Sequence, residues 1–193
     1  MISGIPSPEK ARWFIPPKDL FEFVVRFAKT PRQTWCDLET DGRSFTQLYE
    51  QYAFFLATIP PVAGLIGGVV FRKASIVSSL LYSCSGYLMG LFFLFGATHL
   101  AQRTSKLFGE PLSLNAAGRL VIFSFVPMFV AGVFLLIPPI SILALSGLSS
   151  FYLFYLGISV LTRIEKDKRL PYFLINVVTW IVVSSFLLDS VFT

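Results

Sequence analysis

Charge is nearly absent from the long apolar stretches of this sequence. Charged residues make up 14% of the chain and hydrophobic residues 54%, including 21 phenylalanines. Residues 120–162 contain no Asp, Glu, Lys, Arg or His. This stretch is about twice the length of roughly 20 residues that a helix needs to cross a bilayer. The composition excludes an ordinary soluble domain and predicts a polytopic membrane protein.

Cysteine and histidine are also scarce. Cys36 and Cys84 are the two cysteines, one in a predicted aqueous segment and one in a predicted span, which excludes a disulfide framework or a metal cluster. A single histidine, His99, excludes a multi-histidine metal site and a serine-histidine dyad with a second orienting histidine. Phosphate-binding glycine loops and nucleophile elbows are absent too. We therefore expect a non-enzymatic protein without a cofactor or a metal.

The apolar stretches predict an all-α fold with five transmembrane helices. Because proline has no N–H to donate and its preceding residue avoids the α region, Pro138-Pro139 should divide the longest stretch into a helical hairpin. Pro60-Pro61 and Pro127 should interrupt the first and third spans. The predicted spans are residues 52–71, 74–101, 120–137, 139–162 and 170–188.

An aqueous region precedes these spans. Residues 1–17 are rich in proline and predict an irregular lead-in, while residues 18–44 predict a helical segment at the membrane interface. Within it, apolar residues at helical spacing predict an amphipathic helix that packs on the protein's own spans, with lipid or partner binding as the alternative. Capping boxes are predicted at Thr30 and at Ser44. Residues 45–193 then form the membrane domain.

Basic residues set the expected orientation. Arg72 and Lys73 lie in one connection, whereas the other fourteen of the 16 lie in the amino-terminal segment and in the second and fourth connections. The positive-inside rule therefore predicts a cytoplasmic amino terminus and a carboxy terminus outside. Because topology explains the formal charge of +5, nucleic acid is not an expected partner.

Several polar and small residues are candidates for helix contacts or for function. Gly86 and Gly90 form a GxxxG pattern, which favours close packing within the monomer. His99 precedes Arg103 by four residues near the cytoplasmic boundary, which favours an interfacial hydrogen bond over a proton relay. Candidates for hydrogen bonds between helices are Asn115, Asn176 and the hydroxyls of Ser78, Ser79 and Ser83.

Tyr152 and Tyr155 fall in the inner half of the fourth span. A buried tyrosine hydroxyl needs a partner, and carbonyls freed by Pro60-Pro61 or Pro127 could supply it. This predicts a polar seam between the first, third and fourth spans. The seam would be plain helix packing or, alternatively, a groove for a lipid or small molecule.

Five short segments occur in a characteristic order along the chain. They are Thr30-Pro31-Arg32-Gln33-Thr34-Trp35, Ala57-Thr58-Ile59-Pro60, Leu107-Phe108-Gly109, Val126-Pro127 and Leu153-Phe154-Tyr155-Leu156-Gly157-Ile158. On these segments, residues 20–188 resemble the Yip family of Ypt/Rab-interacting integral membrane proteins, especially its small bacterial members. Glu110 departs from the family pattern, which often has a glycine there. The resemblance implies a five-helix domain with a cytoplasmic amino-terminal region, a Rab-type GTPase partner only in a eukaryote, and the cytoplasmic (inner) membrane in a bacterium.

Two functions follow from these features, and a membrane enzyme that depends on His99 is a third alternative. The first is a non-enzymatic scaffold or adaptor that organises membrane lipids or partner membrane proteins. The alternative is a transport pathway for a lipid or small solute, in which the proline-broken first and third spans move.

Overall fold

The protein is built entirely from helices over the residues that its structure describes. A computed structural model describes residues 17–192, with side chains over residues 22–185, and this range contains no strand. The predicted all-α class is therefore confirmed. The elements are α1 (Pro17–Lys29), α2 (Pro31–Glu39), α3 (Phe45–Val70), α4 (Ile76–Leu107), α5 (Leu114–Leu136), α6 (Pro138–Leu161) and α7 (Lys166–Phe192). The predicted lead-in, residues 1–17, lies almost wholly outside the described residues.

Four helices, α3 to α6, are long and apolar enough to cross a membrane. The first begins at Phe45, earlier than the predicted residue 52, because the helix starts directly after its cap and carries Glu50 on an exposed position. The fifth predicted span, residues 170–188, falls within α7. Since the last side chains of α7 lie outside the described part, the fifth span stays a prediction.

One of the two predicted capping boxes forms. The Ser44 hydroxyl accepts from the Gln47 N–H at 3.3 Å, and the Gln47 side chain accepts from the Ser44 N–H at 3.0 Å. The capping box predicted at Thr30 is wrong. The Thr30 N–H and hydroxyl both donate to the Arg26 carbonyl, because this residue still belongs to the last turn of α1.

Helices α5 and α6 form an antiparallel hairpin. The chain turns at Ile137, which has an extended backbone, and the Ile140 N–H closes the turn on the Ile137 carbonyl at 3.0 Å. This is the place where Pro138-Pro139 predicts a turn. On both sides the helix tightens to 3-10 geometry, over Gly132–Leu136 and Pro138–Leu148.

The two amino-terminal helices pack on the spans. Phe23 and Phe27 of α1 are buried, and their rings lie 5.3 Å from the rings of Phe123 and Trp35 respectively. Trp35 of α2 is fully buried against Gly157 of α6, where a Cβ atom would lie 2.8 Å from the indole. Aromatic packing thus holds both helices against the protein's own spans.

Glycines bring α3, α4 and α5 close together. A Cβ atom at Gly132 of α5 would lie 2.5 Å from Pro60 Cγ, and one at Gly67 of α3 would lie 2.6 Å from the Leu136 carbonyl oxygen. At Gly90 of the GxxxG pattern, the nearest atoms belong to Phe129 and Ala57. The GxxxG face is therefore used inside the monomer.

Gly132→Ala should destabilise the protein by about 1 to 3 kcal/mol, because the added methyl group has no space beside Pro60. Gly96→Ala is the matched control, since a Cβ atom at Gly96 meets nothing within 4 Å. Its effect should stay within about 1 kcal/mol. The measurement is the free energy of unfolding in mixed detergent, and equal values for the two variants would contradict the close contact.

Candidate functional site

The prolines of the first span break α3 into segments. A π-helical turn spans Tyr49–Ala53, and the helix restarts as Ile59–Val70 with two prolines in its first turn. The Thr58 N–H and hydroxyl both donate to the Phe55 carbonyl at the break. From α4, the Ser83 hydroxyl donates to the Pro61 carbonyl at 2.9 Å. A side chain of the neighbouring helix thus bonds to the backbone beside the break.

The break in the third span receives similar support. The helix is interrupted at Phe125, just before Pro127, and resumes as Val126–Ala131. Beyond the break, the Met128 N–H donates to the hydroxyl of Ser150 at 3.0 Å, and Ser150 on α6 is fully buried. This bond ties the third span to the fourth.

The predicted seam of buried tyrosines is wrong. Tyr152 and Tyr155 are 59% and 40% exposed, so neither is a buried side chain. Leu153, Phe154 and Ile158 take the buried positions of α6 instead, which turns both tyrosines outward. Serines make the bonds beside the prolines instead: Ser83, which was predicted to bond between helices, and Ser150, which was not.

His99 and Arg103 lie near the carboxy-terminal end of α4. Nδ1 of His99 lies 2.9 Å from the Phe95 carbonyl of its own helix, and the imidazole packs edge-on against Phe45 at 5.9 Å. The Arg103 side chain is exposed. The histidine therefore has a hydrogen-bond partner in its own helix and an aromatic neighbour.

A buried ionic cluster lies at the start of the first span. Asp41, Arg43, Tyr52 and Arg119 form it, and we call it the interfacial cluster. The Arg43 guanidinium binds both oxygens of the Asp41 carboxylate and donates to the Tyr52 hydroxyl at 2.7 Å. From α5, Arg119 donates to the Asp41 carbonyl. The cluster thereby fastens the loop between α2 and α3 to α5.

Burial and ion pairing shift the pKa of Asp41, in the interfacial cluster, in opposite directions. Burial alone would raise the pKa of Asp41, but the hydrogen bonds and charge of Arg43 outweigh it, so the pKa lies below its usual value. Both side chains are less than a tenth exposed. No local sequence pattern links Asp41 to Arg119, which lies 78 positions away.

Two asparagines join helices, as predicted. The Asn115 side chain of α5 accepts from the Phe45 N–H at 2.8 Å and so adds to the cap of the first span. Asn176 of α7 is fully buried and donates to the Thr104 hydroxyl of α4 at 3.0 Å. Beside it, the Tyr172 hydroxyl donates to the Ala101 carbonyl at 2.8 Å. Polar contacts therefore hold α7 against α4.

These structural features define the class of protein to which the chain belongs. Apolar helices long enough to span a membrane, broken by prolines and joined by hydroxyl and amide side chains, make this a polytopic α-helical integral membrane protein. Among residues 17–192, no group of His, Cys, Asp and Glu side chains is arranged to hold a metal ion.

The family model of the Yip1 domain matches residues 26–188, which is most of the chain. The chain therefore belongs to the Yip1 domain family, and the resemblance drawn from its motifs is confirmed. Comparisons with curated proteins and with solved structures find no match.

Asp41→Asn should destabilise the protein by about 3 kcal/mol at pH 7, because it leaves the Arg43 guanidinium buried without its carboxylate. Asp37→Asn is the control, since Asp37 faces Arg26 at 3.7 Å with both side chains about 30% exposed, a geometry worth at most about 1 kcal/mol. Unfolding in mixed detergent measures both changes. Equal losses of unfolding free energy in the two variants would contradict the inference that the interfacial cluster fastens the loop to α5.

The pair of Asp41 and Arg43 predicts that the stability of the protein depends on pH. A carboxyl whose folded pKa is depressed contributes stability above its unfolded pKa of about 4, and this contribution is lost as the pH falls through the folded value. The stability difference between the wild type and Asp41→Asn should therefore narrow below about pH 4.

Proposed function

We propose that the protein is a non-enzymatic membrane scaffold or adaptor that holds a partner membrane protein or anionic lipid at a basic cytoplasmic face. Its family membership and its apolar spans support a role within the membrane. The single observation that carries the proposal is the meeting of two basic connections at one end of the helices. A Rab-type GTPase is a candidate partner only if the source is eukaryotic.

The basic face lies where α4 ends and α7 begins. Arg103 and Lys106 of α4 are exposed, as are Arg163 and Lys166 of the following connection and helix. The two regions adjoin because the Phe108 ring packs edge-on against Tyr172, with ring centres 5.6 Å apart. Each Lys or Arg near an anionic membrane surface contributes about 1 kcal/mol of attraction, and the four side chains outnumber the exposed carboxylates of Glu165 and Asp167 beside them.

Close packing at the proline breaks favours the adaptor over the transport alternative. Pro60 lies directly against Gly132, and the Leu136 carbonyl lies against Gly67, so the first and third spans contact each other at their irregular segments. Movement of either span would separate these contacts and the supporting bonds from Ser83 and Ser150. The breaks thus fit static packing better than moving parts.

The proposed topology has five spans, with α7 as the fifth, a cytoplasmic amino terminus and a carboxy terminus outside. The distribution of basic residues supports it, since the basic face and the amino-terminal helices then share the cytoplasmic side. In a bacterium, this membrane would be the cytoplasmic membrane.

Labelling of Cys36 tests the orientation. Its side chain is exposed on α2, so an impermeant thiol reagent should react with it only after the cytoplasmic side is opened. Cys84 is exposed on the spanning helix α4, where lipid should shield it. Labelling should therefore disappear in Cys36→Ser and persist in Cys84→Ser. Reaction of Cys36 in intact cells would show that the orientation is the opposite of the proposed one.

Removal of charge from the basic face tests the adaptor role. The triple variant Arg103→Gln/Lys106→Gln/Lys166→Gln should lower recovery of the co-purified membrane component severalfold, and added salt should weaken the wild-type complex similarly. Lys73→Gln, in the opposite connection, should retain wild-type recovery. The proposal fails if no membrane component co-purifies, or if the triple variant and Lys73→Gln behave alike.

A further inference from the structure

Two adjoining cavities open at the end of the helices opposite the basic face. The inner cavity, of about 370 Å³, lies between α3, α4 and α5, and the outer cavity, of about 260 Å³, lies beside the connection between α3 and α4. Gly64, Arg72 and Tyr82 line both. The two cavities therefore adjoin at these three residues, and we treat them as one site.

The two halves of this site differ in chemistry. The outer cavity is lined by Ser78 and Ser79 together with Arg72. The deeper part of the inner cavity is lined by apolar groups, among them Pro60, Met89, Phe129 and Leu135. A site with a cationic, hydroxylated mouth and an apolar interior matches an amphiphilic ligand.

The depth of the site matches one leaflet of a bilayer. Arg72 follows the end of α3 at Val70 and so lies at the membrane interface. Pro60 precedes Arg72 by twelve positions, which at the rise of an α-helix is about 18 Å. Half of a bilayer core is about 15 Å thick, so the inner cavity reaches approximately the membrane midplane.

Glycine keeps the site open. A Cβ atom at Gly64 would meet nothing within 4 Å, and one at Gly86 would meet only Pro61 Cγ at 3.8 Å. The glycines at Gly67 and Gly132 differ, because a Cβ atom there would collide with the neighbouring helix. Gly64 and Gly86 thus border empty space, while the other two permit helix contact.

We propose that this site binds a phospholipid, with its phosphate on Arg72 and one acyl chain in the inner cavity. Charge complementarity selects this ligand, because a guanidinium at headgroup level binds phosphate oxygens well. Among the side chains over residues 22–185, no carboxylate forms an ion pair with Arg72. The site lies away from the basic face and does not depend on the adaptor role.

Native mass spectrometry of the delipidated full chain with phosphatidylglycerol tests the proposal. Gly64→Phe should fill the inner cavity and lower affinity about tenfold or more, whereas Gly96→Phe, at an equally open position in α4, should bind as the wild type does. Arg72→Gln should weaken binding about tenfold. Lys73→Gln removes the same charge at the adjacent position and should have little effect on affinity. Diacylglycerol and glycerol phosphate, each lacking one half of the ligand, should both bind weakly.

A second measurement does not depend on the variants folding. Phosphatidylglycerol with a photoreactive group in its acyl chain should crosslink the wild-type chain at Met89 or Phe129, and glycerol phosphate should not compete. The proposal is overturned if crosslinks fall only on outward residues of α4 such as Phe92, or if the variants at Gly64 and Arg72 bind no worse than their controls.

Discussion

The structure depends on the need of every backbone polar group inside a bilayer for a partner within the protein. This chain places prolines in its first and third spans, where each one removes a donor. Ser83 donates to the Pro61 carbonyl from the second span, and Ser150 accepts from the Met128 N–H in the fourth. These serines therefore bond to the backbone beside the prolines and join neighbouring helices.

These breaks also decide how closely the helices approach. Pro60 occupies the space over Gly132, so an irregular segment of one span lies against an irregular segment of another. Toward the amino-terminal helices, the spaces are filled by aromatic rings. Phe123 contacts both Phe23 and Tyr52, and the Arg43 guanidinium lies 4.8 Å from the Tyr52 ring centre. The end of the spans beside the amino-terminal helices is therefore filled by aromatic rings and held by the ionic cluster. At the opposite end, glycines leave the cavities open.

The periodic and compositional features of this fold could be predicted from the sequence. The length of the charge-free stretches predicted the spanning helices. Pro138-Pro139 predicted the turn that the structure has at Ile137. The capping box at Ser44 also depends on residues close in sequence and forms as predicted. At Thr30 the same pattern failed, because the preceding helix runs directly into it and takes its hydroxyl.

Features that depend on helix rotation or distant pairing could not be predicted. Tyr152 and Tyr155 were expected in the interior, but hydropathy does not distinguish the lipid-facing side of a helix whose every face is apolar. The pairing of Asp41 with Arg119 joins residues 78 positions apart. Likewise, the sequence shows that Gly64 and Gly132 are glycines, but only packing shows that one borders space and the other a proline.

Helix α4 connects the two proposed sites. It has 32 residues and is therefore about 48 Å long, against about 30 Å for the bilayer core, so part of it extends beyond the hydrocarbon. Tyr82 near its start lines the cavities, and Arg103 and Lys106 near its end belong to the basic face. A bound phospholipid stabilises only the arrangement of α3, α4 and α5 in which its chain fits. Lipid at one membrane face would thereby help to fix the helix that presents charge at the other.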